Sequence, residues 1–207
     1  MNRGMARDGL APLAILLIAV GVASAAGTID LGPPVPVSIS AVGQGHEFTL
    51  VHPTFAGEQP GTAVSTGIGF NSPEESHYLT LNPDPAVWLG TAMSAEMQQA
   101  GFQVVQAETP AAARTPLVVA IAIQDVSLIF LVDPANPGWF NDNYVIEGRV
   151  LARIEIYRRG TLVQKRTYSG TLRKEKSDPT TILTGAFNDL LRNAAPDLAA
   201  ALVRAST

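Results

Sequence analysis

The fold is decided by residues 144–172, which read YVIEGRVLARIEIYRRGTLVQKRTYSGTL. In Tyr144–Arg158 the even positions as far as Ile156 are apolar or small, whereas most of the odd positions are polar or charged. This alternation predicts a long strand with one dry and one wet face, typical of an antiparallel sheet with helices on one side only. Arg159-Gly160 predicts a tight turn into Leu162–Leu172, so the stretch is expected to form a long hairpin.

A second long strand is predicted immediately before this hairpin, over Leu117–Val132. Its apolar positions first have odd numbers and later even numbers, and the phase changes at Gln124-Asp125, which indicates a β-bulge. The connection over residues 133–142 contains two prolines and a glycine together with Trp139 and Phe140. Large aromatic side chains on such a loop are frequent interface anchors. The alternative is that they fold back over the end of the sheet.

Two helices are predicted, and each begins with the same Asp-Pro device. Asp84-Pro85 opens a helix that ends near Gly101, and Asp178-Pro179 opens a C-terminal helix with a continuous apolar stripe. Pro196 is expected to kink or divide the second helix. The order of elements predicts an α+β fold, a mostly antiparallel (mixed) sheet with two helices packed on one face.

The N-terminal half is less regular. Residues 26–34 read as an extended leader, and residues 35–207 are expected to form a single α+β domain. Strands are predicted over Val35–Val42 and Phe48–Val51. Residues 52–83 are rich in Gly, Ser, Thr and Pro, which predicts a long loop with a short strand near Val64–Ile68.

Residues 1–25 have the three parts of a secretory signal peptide. Arg3 and Arg7 precede an apolar run, Leu10–Val22, and the exit is Ala23-Ser24-Ala25. The run has 13 residues, whereas a helix that spans a bilayer needs ~20. We therefore expect export to the periplasm with cleavage after the third small residue. The alternative is an uncleaved N-terminal anchor that keeps the protein at a membrane.

Charge is distributed unevenly along the 207 residues, whose formal net charge is −4. Residues 26–148 contain one basic and 12 acidic residues, whereas residues 149–207 contain 11 basic and five acidic ones. Most of these bases fall on the predicted hairpin. They are Arg149, Arg153, Arg158, Arg159, Lys165, Arg166, Arg173, Lys174 and Lys176.

A basic hairpin predicts an acidic partner, either an envelope protein or an anionic glycolipid. The alternative is a solvated strand face that discourages edge pairing. Nucleic acid is not expected, because the chain is exported and acidic overall. The candidate interaction surface comprises Trp139, Phe140, Arg149, Arg153, Arg158, Arg159, Lys165 and Arg166.

The sequence predicts no catalytic, cofactor-binding or metal-binding site. The chain has no cysteine, which excludes disulfides, thiolate zinc sites, a cysteine nucleophile and a lipid-modified cysteine. His46, His52 and His77 lack the spacing of a metal site. Nucleophile-elbow, phosphate-loop, dinucleotide and calcium-loop motifs are also missing from the sequence.

The order of elements is similar to the YajG-like family of bacterial envelope lipoproteins. The likeness begins at Val-Ser-Ile-Ser-Ala-Val-Gly-Gln-Gly (37–45) and continues through a helix ending Met-Gln-Gln-Ala-Gly-Phe-Gln-Val (97–104). It then includes the apolar strand at 117, the hairpin and the C-terminal helix, so that it covers most of residues 35–203. Family members carry a lipid-modified cysteine after the signal, where this chain has Ala26-Gly27. The resemblance implies an envelope protein without established catalytic residues.

These observations lead to two hypotheses. The first is a non-enzymatic, exported cell-envelope protein that binds another envelope component through the basic hairpin and the Trp139 loop. The second is a small-molecule or metal carrier in the periplasm that uses the loop containing the histidines.

Overall fold

A computed structural model describes residues 27–56, 62–68, 76–132 and 144–206. It contains nine strands and two α-helices within these ranges. The strands are β1 Thr28–Asp30, β2 Glu47–Val51, β3 Thr54–Phe55, β4 Thr62–Ile68, β5 Ser76–Asn82, β6 Gln103–Ala107, β7 Leu117–Val132, β8 Tyr144–Arg158 and β9 Thr161–Glu175. The helices are α1 Pro85–Gln99 and α2 Pro179–Ser206, and a short 3₁₀ turn covers Pro110–Ala112. The α+β class is confirmed.

β7 organises the sheet. Along one edge it pairs antiparallel with β8 over its whole length, and β8 pairs antiparallel with β9. Along the other edge β2, β3 and β4 follow one another, each parallel to β7. β6 extends the sheet beyond β2, and β5 and β1 extend it beyond β4. The sheet is therefore open and mixed, with its longest ladders antiparallel as expected, and the predicted bulge lies between Ile123 and Asp125.

The core lies between this sheet and the two helices. The even positions of β8 from Ile146 to Ile156 are buried, so the predicted dry face is the one that the helices cover. Both helices pack on this face and against each other, and the rings of Trp88 on α1 and Phe187 on α2 lie 5.2 Å apart. The side chain of Asp84 accepts a hydrogen bond from Ala86 N (2.7 Å), which caps α1 as predicted.

α2 lies unusually close to the hairpin. A Cβ atom at Gly170 of β9 would overlap the carbonyl oxygen of Ala186 and would lie 2.8 Å from Leu190 Cα. The helix continues through Pro196 instead of dividing there. The inward positions of β9 thus determine how tightly α2 closes the core.

The predicted strand over Val35–Val42 is wrong. Residues 31–42 instead cross the two helices as a strap; Leu31 N bonds to Asn82 O of β5, and the rest of the strap pairs with no strand of the described residues. The prolines of this segment have no N–H to give to a ladder, and three of its N–H groups bond to helix side chains instead. These bonds run from Gly32 N to Thr184 Oγ1 (2.8 Å), from Val35 N to Asn188 Oδ1 (2.7 Å) and from Val37 N to Glu96 Oε1 (2.9 Å).

The long loop predicted over residues 52–83 is also wrong in part. This segment contains β3, β4 and β5, and β4 includes the short strand expected near Val64–Ile68. Because β3 and β4 pair with β7, their hydrogen-bond partners lie more than fifty residues further along the chain. A local pattern of polar residues does not reveal such pairing.

Candidate interaction surface

The predicted basic surface is divided between the two faces of the hairpin. In the β8–β9 register Arg153 pairs with Thr167 and Glu155 with Lys165, whereas Ile154 pairs with Arg166. Residues opposite each other share a face. Arg149, Arg153 and Lys165 therefore lie on the side away from the helices, which we call the outer face, and Arg166 lies on the helix side.

Arg166 has a structural role in this arrangement. Its Nη1 atom lies 2.7 Å from Asp197 Oδ2 on α2, and the Tyr168 hydroxyl donates to the same oxygen at 3.4 Å. The pair joins the edge strand to the helix. Arg166 is thus not brought together with Arg149, Arg153 and Lys165, and its charge is matched by Asp197.

The remaining predicted residues are two pairs of neighbours in the sequence. Arg158 and Arg159 lie at the β8–β9 turn. Trp139 and Phe140 lie outside the described residues, but β7 ends at residue 132 and β8 begins at residue 144. Since β8 has 15 residues, these two ends are about 50 Å apart. A single small surface cannot include both the turn and the ends of the flanking strands.

Glu155 is the centre of a charged cluster on the outer face. Its Oε1 atom lies 3.1 Å from Arg153 Nε and 3.4 Å from Lys165 Nζ. Its Oε2 atom accepts a hydrogen bond from the Tyr157 hydroxyl at 2.6 Å. This hydrogen bond, together with the nearby cations, holds the pKa of Glu155 below its usual range. The same hydrogen bond raises the pKa of Tyr157. At neutral pH Arg153 and Lys165 therefore share one ionised carboxylate, which offsets one of their two positive charges.

Charges of both signs continue along the outer face. Arg173 Nη1 lies 3.9 Å from Glu147 Oε2, and the Ser127 hydroxyl donates to Asp125 at 3.2 Å. Arg149 is exposed between these groups, and no ion pair is found for it among the residues that the structure describes. The outer face is thus a mixed-charge surface instead of a uniformly basic one, and its central cation has no ionic partner in the part of the chain that the structure describes.

Sequence reasoning missed two exposed apolar residues at the turn. Leu162 and Val163 are 46% and 49% exposed at the start of β9. The signal was available, because two adjacent branched apolar residues follow the Arg159-Gly160 turn after a single threonine, Thr161.

The histidines do not form a site in the described residues. His46 precedes β2 and His52 follows it, so that they are separated by the length of that strand. His52 lines a cleft of about 220 Å³ with Glu108 and Gln106. The side chain of His77 lies outside the described residues. Within those residues no three metal-ligating side chains come together, so the carrier hypothesis gains no support from the geometry.

The N-terminal segment that was interpreted as a signal peptide, residues 1–25, lies outside the described residues. Among the helices that the structure describes, none is both long and apolar enough to cross a membrane. α2 is the longest of them with 28 residues, and it contains four charged side chains, Asp189, Arg192, Asp197 and Arg204.

Comparison with known proteins reveals similar folds only. Neither a family model nor a curated protein sequence matches this chain. A crystal structure from Xanthomonas campestris, of the family DUF330, matches with a TM-score of 0.56 at 10% identity, covering 86% of this chain and 96% of that chain. A neuraminyllactose-binding hemagglutinin homolog from Helicobacter pylori matches with a TM-score of 0.44 at 8% identity, covering 86% and 92%. A minor lipoprotein from Acinetobacter baumannii matches with a TM-score of 0.31 at 12% identity, covering 82% and 91%.

The Xanthomonas campestris structure supports the α+β fold described above. The other two likenesses are too distant to support an argument. The resemblance to the YajG-like family stays a prediction. The chain thus has the fold of a DUF330 protein, at a sequence identity that assigns it no function.

Proposed function

We propose that this chain is a non-enzymatic binding module of the bacterial cell envelope that recognises a partner protein through the outer face of β7–β9. The observation that carries the proposal is the mixed-charge pattern of this face, which no helix of the described residues covers. Arg149 is its exposed centre, and the Glu155 cluster and the Arg173–Glu147 pair lie on either side. The signal-peptide pattern of residues 1–25 supports an envelope location.

The outer face has the size of a protein interface. Three strands of about 15 residues cover an area of about 50 Å by 14 Å, or roughly 700 Å². A stable protein complex buries about 800 Å² on each partner. The face is also pre-organised, because the β7–β8 and β8–β9 ladders fix the backbone of every contributing residue. Binding therefore requires little ordering of the chain.

The pattern of charges favours a protein over a glycolipid at this face. An anionic glycolipid headgroup presents one sign of charge, whereas on this face Glu155 and Glu147 lie among the cations, and Glu155 offsets one of the two positive charges of Arg153 and Lys165. Charges of alternating sign favour a partner whose charges have the complementary arrangement, and they disfavour a partner whose charges are shifted along the strands. Such a pattern gives specificity and register more than overall attraction.

Photo-crosslinking in cells tests the proposal. A photoreactive amino acid at position 149 on the outer face is compared with one at position 192, which is exposed on α2. We expect a defined crosslinked protein only from position 149.

The crosslinked protein, once purified, should bind the Arg149→Glu variant at least tenfold more weakly than the unchanged chain. Arg192→Glu is the matched charge reversal and should bind normally. Equal crosslinking at both positions, or equal binding by both variants, would contradict the proposal.

A further inference from the structure

The β8–β9 turn has a residue that its backbone does not favour. Arg159 and Gly160 have φ angles of 50° and 79°, and positive φ at both central positions is typical of type I′ hairpin turns. Asn, Asp or Gly is preferred at the first of these positions, and other side chains are strained there. Arginine has no conformational advantage at this position. Its presence points to a role for the charge.

A bulge displays apolar side chains beside this turn. The β8–β9 register shifts between Ile156 and Tyr157, so that Ile156 pairs with Gln164 and Tyr157 pairs with Leu162. Val163 is the extra residue without a partner. Bulges of this kind re-aim side chains. As a result, Leu162 and Val163 are both about half exposed, although each would be stabilised by burial.

The cations around the turn are not neutralised by neighbours in the described structure. Arg158 and Arg159 are exposed, and the Arg159 backbone N donates to Pro116 O at 2.7 Å. This bond brings the loop that contains the exposed Arg114 to the same end of the sheet. None of these three arginines has an ion pair within the described ranges. In addition, the sequence contains no Asp or Glu between residues 156 and 172.

We infer that this end of the hairpin, residues 158–163 with Arg114, docks on an anionic lipid surface. Leu162 and Val163 enter the boundary between headgroups and acyl chains, and the three arginines lie at the level of the phosphates. The area is too small for a stable protein interface, which needs about 20 residues on each side. This site is separate from the outer face, so the two proposals stand or fall independently.

A fluorescent label at the turn tests the inference directly. The chain has no cysteine, so Val163→Cys in the full chain gives a single site for an environment-sensitive dye. Thr167→Cys, exposed on the same strand, is the matched control. Vesicles of equal parts phosphatidylglycerol and phosphatidylcholine are compared with vesicles of phosphatidylcholine alone. Because the dye reports only on its own surroundings, attachment through any other segment does not mimic the signal.

We expect a blue shift of the dye at position 163 with the anionic vesicles only, weakened by salt, and no shift at position 167. The pair Arg158→Gln and Arg159→Asn should then require about 25-fold more lipid, since each cation near an anionic surface contributes about a fivefold effect. Asn is favoured at the turn, so this variant remains folded. Lys174→Gln with Lys176→Gln removes the same charge at the other end of β9 and should bind normally.

Three results would overturn the inference. The first is an unchanged dye at position 163 with anionic vesicles. The second is an equal shift with neutral vesicles. The third is an equal loss of binding in the Lys174 and Lys176 variant, which would mean that overall charge and not the turn attracts the lipid. Binding of an acidic protein at position 163 in place of vesicles would also assign the turn to a different partner.

Discussion

Replacement of Gly170 by alanine should destabilise the fold more than its single methyl group suggests. The new Cβ would overlap Ala186 O and Leu190 N of α2 and lie 2.8 Å from Leu190 Cα. These are backbone atoms of a helix, so none of them can move aside by changing a rotamer. The helix must therefore retreat from β9 by about 1 Å, a gap that removes a quarter to a half of the dispersion attraction across the contact.

The magnitude follows from two opposing effects. Overpacking of a close contact costs up to about 3 kcal/mol. The lower backbone entropy of alanine in the unfolded chain offsets about 0.7 kcal/mol. The net loss is about 2 kcal/mol, which corresponds to a fall in the melting temperature of roughly 4–8 °C for a chain of this size.

Gly185→Ala is the matched control in the same interface. Its Cβ would overlap only the Leu172 Cδ2 atom, the far end of a flexible side chain. A rotamer change of Leu172 costs about 1 kcal/mol, and alanine in place of glycine inside a helix returns about 1 kcal/mol. Urea denaturation followed by circular dichroism should thus give an almost unchanged midpoint for Gly185→Ala and a lower one for Gly170→Ala. Equal midpoints for the two variants would refute the reasoning.

Three further predictions concern single side chains. Asp84→Ala should cost about 1 kcal/mol of unfolding free energy in urea titrations, whereas Asp84→Asn, an equally good cap, should cost almost nothing. Glu96→Ala leaves the partly buried N–H of Val37 without its carboxylate acceptor and should cost about 1–3 kcal/mol, whereas Glu96→Gln retains an acceptor oxygen and should cost less; equal losses would refute the bond. The lowered pKa of Glu155 contributes stability above the ordinary value of 4.5 that is lost as pH falls through the lowered pKa. In Tyr157→Phe the carboxyl midpoint measured by NMR should therefore move upward, and an unmoved midpoint would exclude the hydrogen bond as its cause.

The parts of the fold that follow from local period and capping were predictable. Alternation in β8, the phase change at Gln124-Asp125 and the two Asp-Pro starts each depend on residues close together in the sequence. The structure has the bulge, the hairpin and both helices where these signals place them. Each of these signals can be checked within one turn or one strand, without knowledge of what packs against it.

The strap over residues 31–42 was not predictable by the same means. Its alternating Val35, Val37 and Ile39 are the pattern of a strand, yet its N–H groups bond to Thr184, Asn188 and Glu96. These partners lie between 59 and 153 residues away in the sequence. Only the packing of α1 against α2 brings their oxygens to the segment, and a local pattern contains no information about that packing.

The candidate surface shows why a charge cluster in a sequence must be resolved by strand parity. Lys165 and Arg166 are neighbours, yet the first lies on the outer face beside Glu155 and the second is paired with α2 through Asp197. Parity could have been read from the β8 alternation. The register shift at the bulge could not be predicted in this way, since it depends on which residues of β8 and β9 actually pair. The exposure of Leu162 and Val163 follows from this shift and was equally unpredictable.

The two proposed surfaces are geometrically compatible. The turn is the end of the β8–β9 hairpin, whereas the outer face is the side of the same strands, so the two surfaces point in perpendicular directions. If the turn lies on a membrane, β8 and β9 extend away from the bilayer over about 50 Å. The outer face then stands upright on the membrane and faces to the side. A partner protein would then approach parallel to the membrane and meet Arg149 about two thirds of the way up the hairpin. This arrangement makes a joint prediction. Crosslinking at position 149 should persist in the Arg158→Gln, Arg159→Asn variant when the partner is supplied in solution. It should weaken when the partner is itself bound to anionic vesicles, because the two proteins are then no longer held on the same surface. Loss of crosslinking in both conditions would mean that the turn and the outer face are one site. The structure argues against this, because more than half of the length of β8 separates Arg149 from Arg159.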